Sequence, residues 1–246
     1  MAKLPWIDMV SLEPCGVVID CRGGLRDYVA SKLGDAELAA ELTTRAFAAA
    51  RSISAPYGSR LAGGLKVAME LSGSGDLYSE EIGRGLVESM TEWAVFPDSK
   101  DGLALLRESG YRVAIISGIE GWILERILES HGISVDSVRG SDPSGPHKPS
   151  PRVIFSAYKE AGVPIWRGLH AGSDVEEDIR PAIVLGLRTA WVNRYGDEEP
   201  EEGIASEYIV GSLGELADQL AEGDEGRNLD GWLEGGDEDK RPRPSP

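Results

Sequence analysis

The fold class of this chain is decided by the stretch Gly110-Tyr111-Arg112-Val113-Ala114-Ile115-Ile116-Ser117-Gly118. Its apolar run from Val113 to Ile116 is typical of a strand that is buried on both faces. Helical spacing precedes the run at residues 99–109 and follows it at residues 122–130, and a glycine stands just past each helix, as C-terminal capping requires. A buried strand between two helices predicts a parallel sheet, because parallel strands need crossover connections.

The same alternation extends in both directions along the chain. Further strands and helices are predicted, in chain order, at residues 151–161, 169–171, 178–185, 189–193, 208–210 and 213–220. Toward the N-terminus, the first strand is predicted in the run Gly16-Val17-Val18-Ile19-Asp20, which ends in an acid. We therefore predict an α/β fold with a doubly wound parallel sheet, a Rossmann-like core formed by residues 1–26 and 96–222.

Between these two parts, residues 27–95 have helical spacing and no convincing strand pattern. Asp35 and Ser79 are the predicted N-caps of two of these helices. The block predicts a helical domain that is inserted after the first strand. Residues 223–246 are rich in Gly, Asp, Glu, Arg and Pro, so we predict a disordered acidic tail there.

The composition favours a cytoplasmic protein. The formal net charge of −17 and the pI near 4.6 disfavour nucleic acid or an anionic membrane as a partner. No apolar run approaches the roughly 20 residues of a membrane span. Cys15 and Cys21 do not make a disulfide framework, which fits a reducing compartment. The oligomeric state is expected to be a monomer or a homodimer.

Polar residues that follow the predicted strands are the candidates for a functional site, because ligands of open parallel sheets bind beyond the carboxyl ends of the strands. These residues are Asp20, Ser117, Lys148, Asp174 and Asp178. Each has a structural alternative, since acids and serines commonly cap turns or helices and a lysine is commonly a solvated surface charge. Their order along the chain favours the functional interpretation.

That order resembles the haloacid dehalogenase-like (HAD) hydrolase superfamily. An acid, a serine, a lysine and paired acids follow one another, with a helical insert after the first acid. The resemblance covers residues 14–221. Its best segments are Phe96-Pro97-Asp98, residues 110–118, Lys148-Pro149 and Asp178-Ile179-Arg180-Pro181-Ala182.

The resemblance implies a role for each candidate. Asp20 would be the nucleophile that forms a covalent aspartyl intermediate. Ser117 would hydrogen-bond the transferring group, and Lys148 would neutralise the charge around it. In the phosphatase branches the motif's acids hold a magnesium ion, here Asp20, Asp174 and Asp178. The helical block would be a cap that closes over the site and selects the substrate.

Three positions depart from the family pattern. Arg22 stands where phosphatases have an aspartate that acts as general acid and base, Gly24 stands where a threonine is common, and Ser173 follows Gly172 where the motif has an acid. Arginine does not shuttle a proton near neutral pH. We therefore expect Arg22 to bind an anionic group of the substrate, and phosphatase activity to be weak.

Three functions remain open. The first is magnesium-dependent hydrolysis of a small organic phosphate, with Gly118 as a further substrate contact. The second is a metal-free 2-haloacid dehalogenase, favoured by the similar segment Trp191-Val192-Asn193-Arg194 and with Arg45 as the halide-accepting arginine. The third is an inactive relative that kept the fold, favoured by the replacements at positions 22, 24 and 173. Magnesium dependence separates the first function from the second.

Overall fold

A computed structural model describes residues 3–141, 145–200, 203–204 and 206–223. The tail predicted at residues 223–246 therefore lies, except for Gly223, outside the described residues. Within them, the strands form a six-stranded sheet of order β3-β2-β1-β4-β5-β6, in which every neighbouring pair is parallel. The strands are β1 (Met9–Leu12), β2 (Arg112–Glu120), β3 (Ser137–Ser141), β4 (Gly168–Gly172), β5 (Arg188–Val192) and β6 (Tyr208–Val210).

Helices cover both faces of this sheet, which confirms the predicted doubly wound α/β fold. They are α5 (Ser99–Glu108), α6 (Gly121–Ser130), α7 (Arg152–Ala161), α8 (Arg180–Val184) and α9 (Leu213–Glu222). The central strand β1 shows the arrangement, because its side chains alternate between the two faces. Val10 and Leu12 pack with the apolar residues of α5, α6 and α9, whereas Met9 packs with those of α7 and α8.

The first strand is not at residues 16–20, as the sequence predicted, but at β1. The carbonyl of Pro14 accepts hydrogen bonds from the N–H groups of Val17, Val18 and Ile19, so the chain turns there. Gly16 has φ +77°, a left-handed conformation that favours glycine. The apolar residues of this turn are fully buried. Ile19 forms isolated bridges with Cys15 and Val95 but belongs to none of the six strands, so the hydrophobicity of the run reflects its burial.

A block of helices, here named the helical insert, occupies residues 21–92. Its main helices are α1 (Cys21–Leu33), α2 (Ala36–Ala50), α3 (Tyr57–Leu71) and α4 (Glu80–Ser89). Asp35 caps α2 and Ser79 caps α4, as predicted. The helices α2 and α3 approach closely at Gly64, where a Cβ atom would lie 2.4 Å from the carbonyl oxygen of Ala46. In the described parts of the chain, no helix has the length and apolar content that crossing a membrane requires.

Candidate active site

The carboxyl ends of the central strands open into a cavity of about 350 Å³. The sheet side contributes residues that follow or end β1, β2, β4 and β5, and the opposite wall comes from the helical insert. Lining residues on the sheet side include Glu13, Gly118, Asp178 and Trp191. Those from the insert include Phe47, Arg51, Tyr57 and Arg60. A cavity of this volume, lined by a few apolar side chains and many charged ones, suits a small polar organic molecule.

Three ionisable side chains, here named the charged triad, lie buried on the sheet side of the cavity. Lys148 Nζ donates to Glu13 Oε2 and, over 2.6 Å, to Asp178 Oδ1. The side chains of Lys148, Glu13 and Asp178 are 3%, 8% and 2% exposed. Ser117 Oγ donates to the other carboxylate oxygen, Glu13 Oε1, over 2.8 Å. One serine and one lysine therefore fix both oxygens of Glu13.

The backbone explains why these groups meet. Glu13 directly follows β1, and its N–H donates to Ala171 of β4 over 2.9 Å, which extends the sheet by one residue. Asp178 lies in a single π-helical turn, Val175–Ile179, after β4. A Cβ atom on Gly172 would lie 2.3 Å from the Cβ of Asp178, so glycine at this position lets Asp178 approach the strand end.

Burial and neighbouring charges shift the pKa values of Asp178 and Lys148. Burial raises the pKa of Asp178 to about 7, although the ammonium of Lys148 opposes the rise. For Lys148, burial lowers the pKa, but the charges of Asp178 and Glu13 outweigh burial and leave the pKa above its ordinary value. Lys148 is therefore charged at neutral pH, while Asp178 is a carboxyl group that exchanges its proton near neutral pH.

Asp20 lies outside the charged triad. Its carboxylate caps α1 by accepting from the N–H of Gly23 over 2.9 Å, and it also accepts from the hydroxyl of Tyr195 over 3.0 Å. The acid that follows the first strand is Glu13, which contacts both Ser117 and Lys148. The prediction that Asp20 ends the first strand is wrong, because the run before it is a buried turn.

A sequence signal for Glu13 exists. Met9-Val10-Ser11-Leu12 is a largely apolar run that ends in an acid, as is the run before Asp20. Pro14 directly follows Glu13, and proline lacks the N–H that would continue a strand's ladder. Two runs of this kind lie close together in the sequence, and residue pattern alone does not choose between them.

Cys15 and Cys21 are joined by a disulfide bond, which the sequence interpretation did not anticipate. Both residues line the cavity. Cys15 stands two residues after Glu13, the position at which HAD phosphatases have their acid–base aspartate. A disulfide sulfur does not titrate, so this position provides no proton-transfer group.

The arginines predicted to contact the substrate differ in location. Arg22 lines the cavity, and its guanidinium pairs with Asp197 over 2.8 Å and lies 4.2 Å from the ring centroid of Tyr195. Arg45 is not among the cavity-lining residues; its half-exposed side chain pairs with Glu41 on the same helix. The expectation that Arg45 accepts a halide in this cavity is therefore wrong, because its helix turns that face to solvent.

Two other arginines of the helical insert line the cavity and were missed. Arg51 pairs with Asp174 over 2.5 Å, and Arg60 donates to both carboxylate oxygens of Glu177 over 2.8 and 3.0 Å. Both pairs join the insert to the loop after β4. Their partners lie more than a hundred residues apart in sequence, so no local pattern indicates them.

The residues expected to hold magnesium do not fit this metal. Asp20 lies outside the triad, and Asp174 Oδ1 accepts from two backbone N–H groups while its Oδ2 accepts from Arg51. The oxygens of Asp178 accept from Lys148 and from a backbone N–H. Lys148 already supplies the positive charge between the acids. Across the described residues, no group of three or more His, Cys, Asp or Glu side chains is arranged to hold a metal ion.

Comparison with known proteins identifies the family. A family model described as haloacid dehalogenase-like hydrolase matches residues 18–186. This chain belongs to that family. The matched span begins after Glu13, so the strand that carries the first acid of the triad lies outside it.

Relatives of this HAD hydrolase include enzymes of two types. (S)-2-haloacid dehalogenase 4A of Burkholderia cepacia is 29% identical over 138 residues, which are 55% of this chain and 59% of that protein. Phosphoserine phosphatase of Thermus thermophilus is 25% identical over 154 residues, 61% of this chain and 60% of that protein. The chain thus spans little more than half the length of the curated relatives it matches.

A likeness in structure covers more of the chain. The structure of L-2-haloacid dehalogenase from Xanthobacter autotrophicus, with chloropropionic acid covalently bound, has a TM-score of 0.72 to this HAD hydrolase at 18% identity. The alignment covers 86% of this chain and 97% of that one. At this identity the likeness shows a shared fold.

Proposed function

We propose that this HAD hydrolase is a metal-independent enzyme that displaces a leaving group from a small organic acid, with Glu13 as its covalent nucleophile. The observation that carries the proposal is the position of Glu13 at the end of the central strand, held by Ser117 and Lys148 beside the cavity. The haloacid dehalogenases among its relatives favour a 2-haloacid as the substrate class.

The choice of leaving group follows from the absence of an acid at position 15. An alkoxide must be protonated as it leaves, and the disulfide-bonded Cys15 offers no proton. A halide leaves without a proton. The site therefore supports displacement of a halide from carbon better than hydrolysis of a phosphate ester.

In the first step, a carboxylate oxygen of Glu13 attacks the carbon that bears the halogen. A carbon–oxygen bond forms, the carbon–halogen bond breaks, and the halide leaves with the bonding electron pair. Lys148 stays charged throughout, because the charges of Asp178 and Glu13 hold its pKa above the ordinary value. Arg22 and Arg51 line the cavity and have partly exposed pairs with Asp197 and Asp174. The carboxylate of the substrate can replace one of these partners at a guanidinium group.

In the second step, water attacks the carbonyl carbon of the glutamyl ester. Asp178 lines the cavity, and its pKa of about 7 suits a base that takes the proton from this water. The ester bond breaks, the hydroxy acid leaves with a proton, and Glu13 is restored with one oxygen from water. The helical insert acts as the cap that excludes bulk water during both steps.

A substrate screen tests the proposal. 2-Haloacids and an aryl phosphate are incubated with the protein, in the presence of magnesium and in the presence of a chelator. Halide release that the chelator leaves unchanged, and that Glu13→Gln abolishes, supports the proposal. Phosphate release that requires magnesium would overturn it, and a folded protein without turnover on any of these compounds would favour an inactive relative.

A further inference from the structure

We propose that the disulfide of Cys15 and Cys21 is a thiol–disulfide exchange site for a dithiol reductant, and that it controls how the helical insert closes over the cavity. The inference rests on the proposed function insofar as that cavity is the catalytic site. The exchange itself is independent of the reaction at Glu13.

The bond lies between the catalytic carboxylate and the insert. Cys15 is two residues beyond Glu13, and Cys21 is the first residue of α1, where the insert begins. The disulfide therefore closes residues 15–21 into a covalent ring at the first connection between the sheet and the insert. Both cysteines line the cavity, so a small reductant that enters the cavity meets the bond.

Cys15 contacts the loop after β4, the helical insert and the carboxylate of Glu13. Its carbonyl accepts from Ser173 Oγ over 2.8 Å, which ties it to the loop after β4. Its Sγ lies 3.3 Å from the hydroxyl of Tyr57, at the start of α3 in the insert. Its N–H reaches Glu13 Oε1 over 3.5 Å. Release of Cys15 from the ring therefore affects the nucleophile, the loop and the insert together.

A dithiol reductant supplies the two electrons that reduce the disulfide of Cys15 and Cys21. A thiolate of the reductant attacks Cys15 Sγ, which is partly exposed, and the bond to Cys21 breaks. Cys21 leaves as a thiolate at the N-terminus of α1, where the helix dipole stabilises negative charge. The second thiol of the reductant then attacks the mixed disulfide. Cys15 and Cys21 are reduced to thiols, and the dithiol is oxidised to a disulfide.

Reduction loosens the connection between β1 and α1. The ring fixes a turn that contains Gly16 in the left-handed conformation, and opening the ring restores conformational freedom to this segment. The oxidised form is the one with an ordered cavity wall. We expect reduction to lower kcat/KM by roughly tenfold, since an ångström-scale misplacement of catalytic groups costs up to about 100-fold.

The test uses the full chain, whose two cysteines are the only ones in the sequence. The protein is equilibrated at graded ratios of reduced to oxidised dithiothreitol. Alkylated thiols are counted by mass spectrometry, and backbone hydrogen exchange is measured in the helical insert. The proposal predicts that thiol count and hydrogen exchange of α1 to α3 rise together, that kcat/KM falls in parallel, and that reoxidation reverses all three.

The double variant Cys15→Ser/Cys21→Ser is the matched control. It should resemble the reduced protein at every ratio, in hydrogen exchange as well as in activity. Free thiols in air-oxidised protein would overturn the proposal. So would hydrogen exchange of the insert that is the same with the disulfide oxidised and with it reduced. Hydrogen exchange of the insert reports on the state of the disulfide without any substrate. A protein that lacks turnover but shows redox-dependent hydrogen exchange would therefore contradict only the proposed function.

Discussion

Lys148 and Asp178 form an ion pair of 2.6 Å in which both side chains are almost fully buried. Lys148 also donates to Glu13, so one ammonium compensates two carboxylates at the carboxyl ends of β1 and β4. Without the lysine, the carboxylates of Glu13 and Asp178 would repel each other strongly, because water is excluded from both. The lysine is therefore the group on which the electrostatics of the site depend.

Lys148→Met should destabilise the protein by about 3–5 kcal/mol at neutral pH, because it leaves buried acids without a counter-charge. The loss should be smaller at mildly acidic pH, where Asp178, whose pKa is raised to about 7, takes up a proton. Urea denaturation at the two pH values measures both effects. Lys66→Met is the control, since the exposed pair of Lys66 with Glu80 contributes at most about 1 kcal/mol. Equal losses in the two variants would contradict the buried triad.

The pH dependence of turnover follows from Asp178. Its pKa is raised to about 7, and as a base it must be ionised. Hydrolysis of the glutamyl ester should therefore rise with pH through about 7 and level off above it. Single-turnover rates as a function of pH give the profile. Asp178→Asn should slow this step and remove the dependence, and a variant that keeps the same profile would show that another group is the base.

Much of the fold followed from sequence because β2, β4, β5 and β6 are separate, largely apolar runs between helices, and several of these helices are followed by a glycine. The first strand was misplaced because the turn at residues 16–20 holds three consecutive β-branched apolar residues, Val17, Val18 and Ile19, whereas Ser11 interrupts the apolar run of β1. The order of motifs in the sequence brought Ser117, Lys148 and Asp178 together as candidates, and these side chains are neighbours in the structure. Glu13 was missed with its strand.

Contacts between distant segments had no signal in the sequence. The pairs of Arg51 with Asp174 and of Arg60 with Glu177 arise only when the helical insert folds over the sheet. The edge strand β3 was also missed, since its residues are partly or fully exposed and carry no apolar run. Apolar patterns in the sequence indicate which residues are buried. The two ion pairs and the edge strand depend instead on how the helices and strands pack in the folded protein.

Gly172→Ala should damage the site from the end of β4. The added Cβ would lie 2.3 Å from Asp178, which must shift. We expect a loss of about 1–3 kcal/mol in the free energy of unfolding, together with a lower kcat. Gly121→Ala at the start of α6 is the control, because its Cβ would meet no atom within 4 Å. Thermal unfolding and steady-state kinetics of both variants give the comparison. Unchanged kcat in Gly172→Ala would show that the position of Asp178 is not critical.

Arg60→Met should weaken the closure of the helical insert. The side chains of Arg60 and Glu177 are 11% and 16% exposed, so the variant leaves a largely buried carboxylate without its partner. The expected loss is about 1–3 kcal/mol of stability, with a higher KM. Arg45→Met, whose pair with Glu41 is half exposed, should change stability by about 0.5 kcal/mol or less. If Arg60→Met keeps the KM of the parent protein, the pair of Arg60 with Glu177 does not assist closure over the substrate.

The central claim is that Glu13 forms a covalent ester with the substrate. A single turnover with excess enzyme in heavy-oxygen water tests it directly, followed by mass spectrometry of the peptide that contains Glu13 and of the product. Because water attacks the glutamyl carbonyl, we predict that the label enters Glu13 and that the first product molecule is unlabelled. Label in the product, with none in Glu13, would mean that water attacks the substrate itself and would contradict the covalent mechanism.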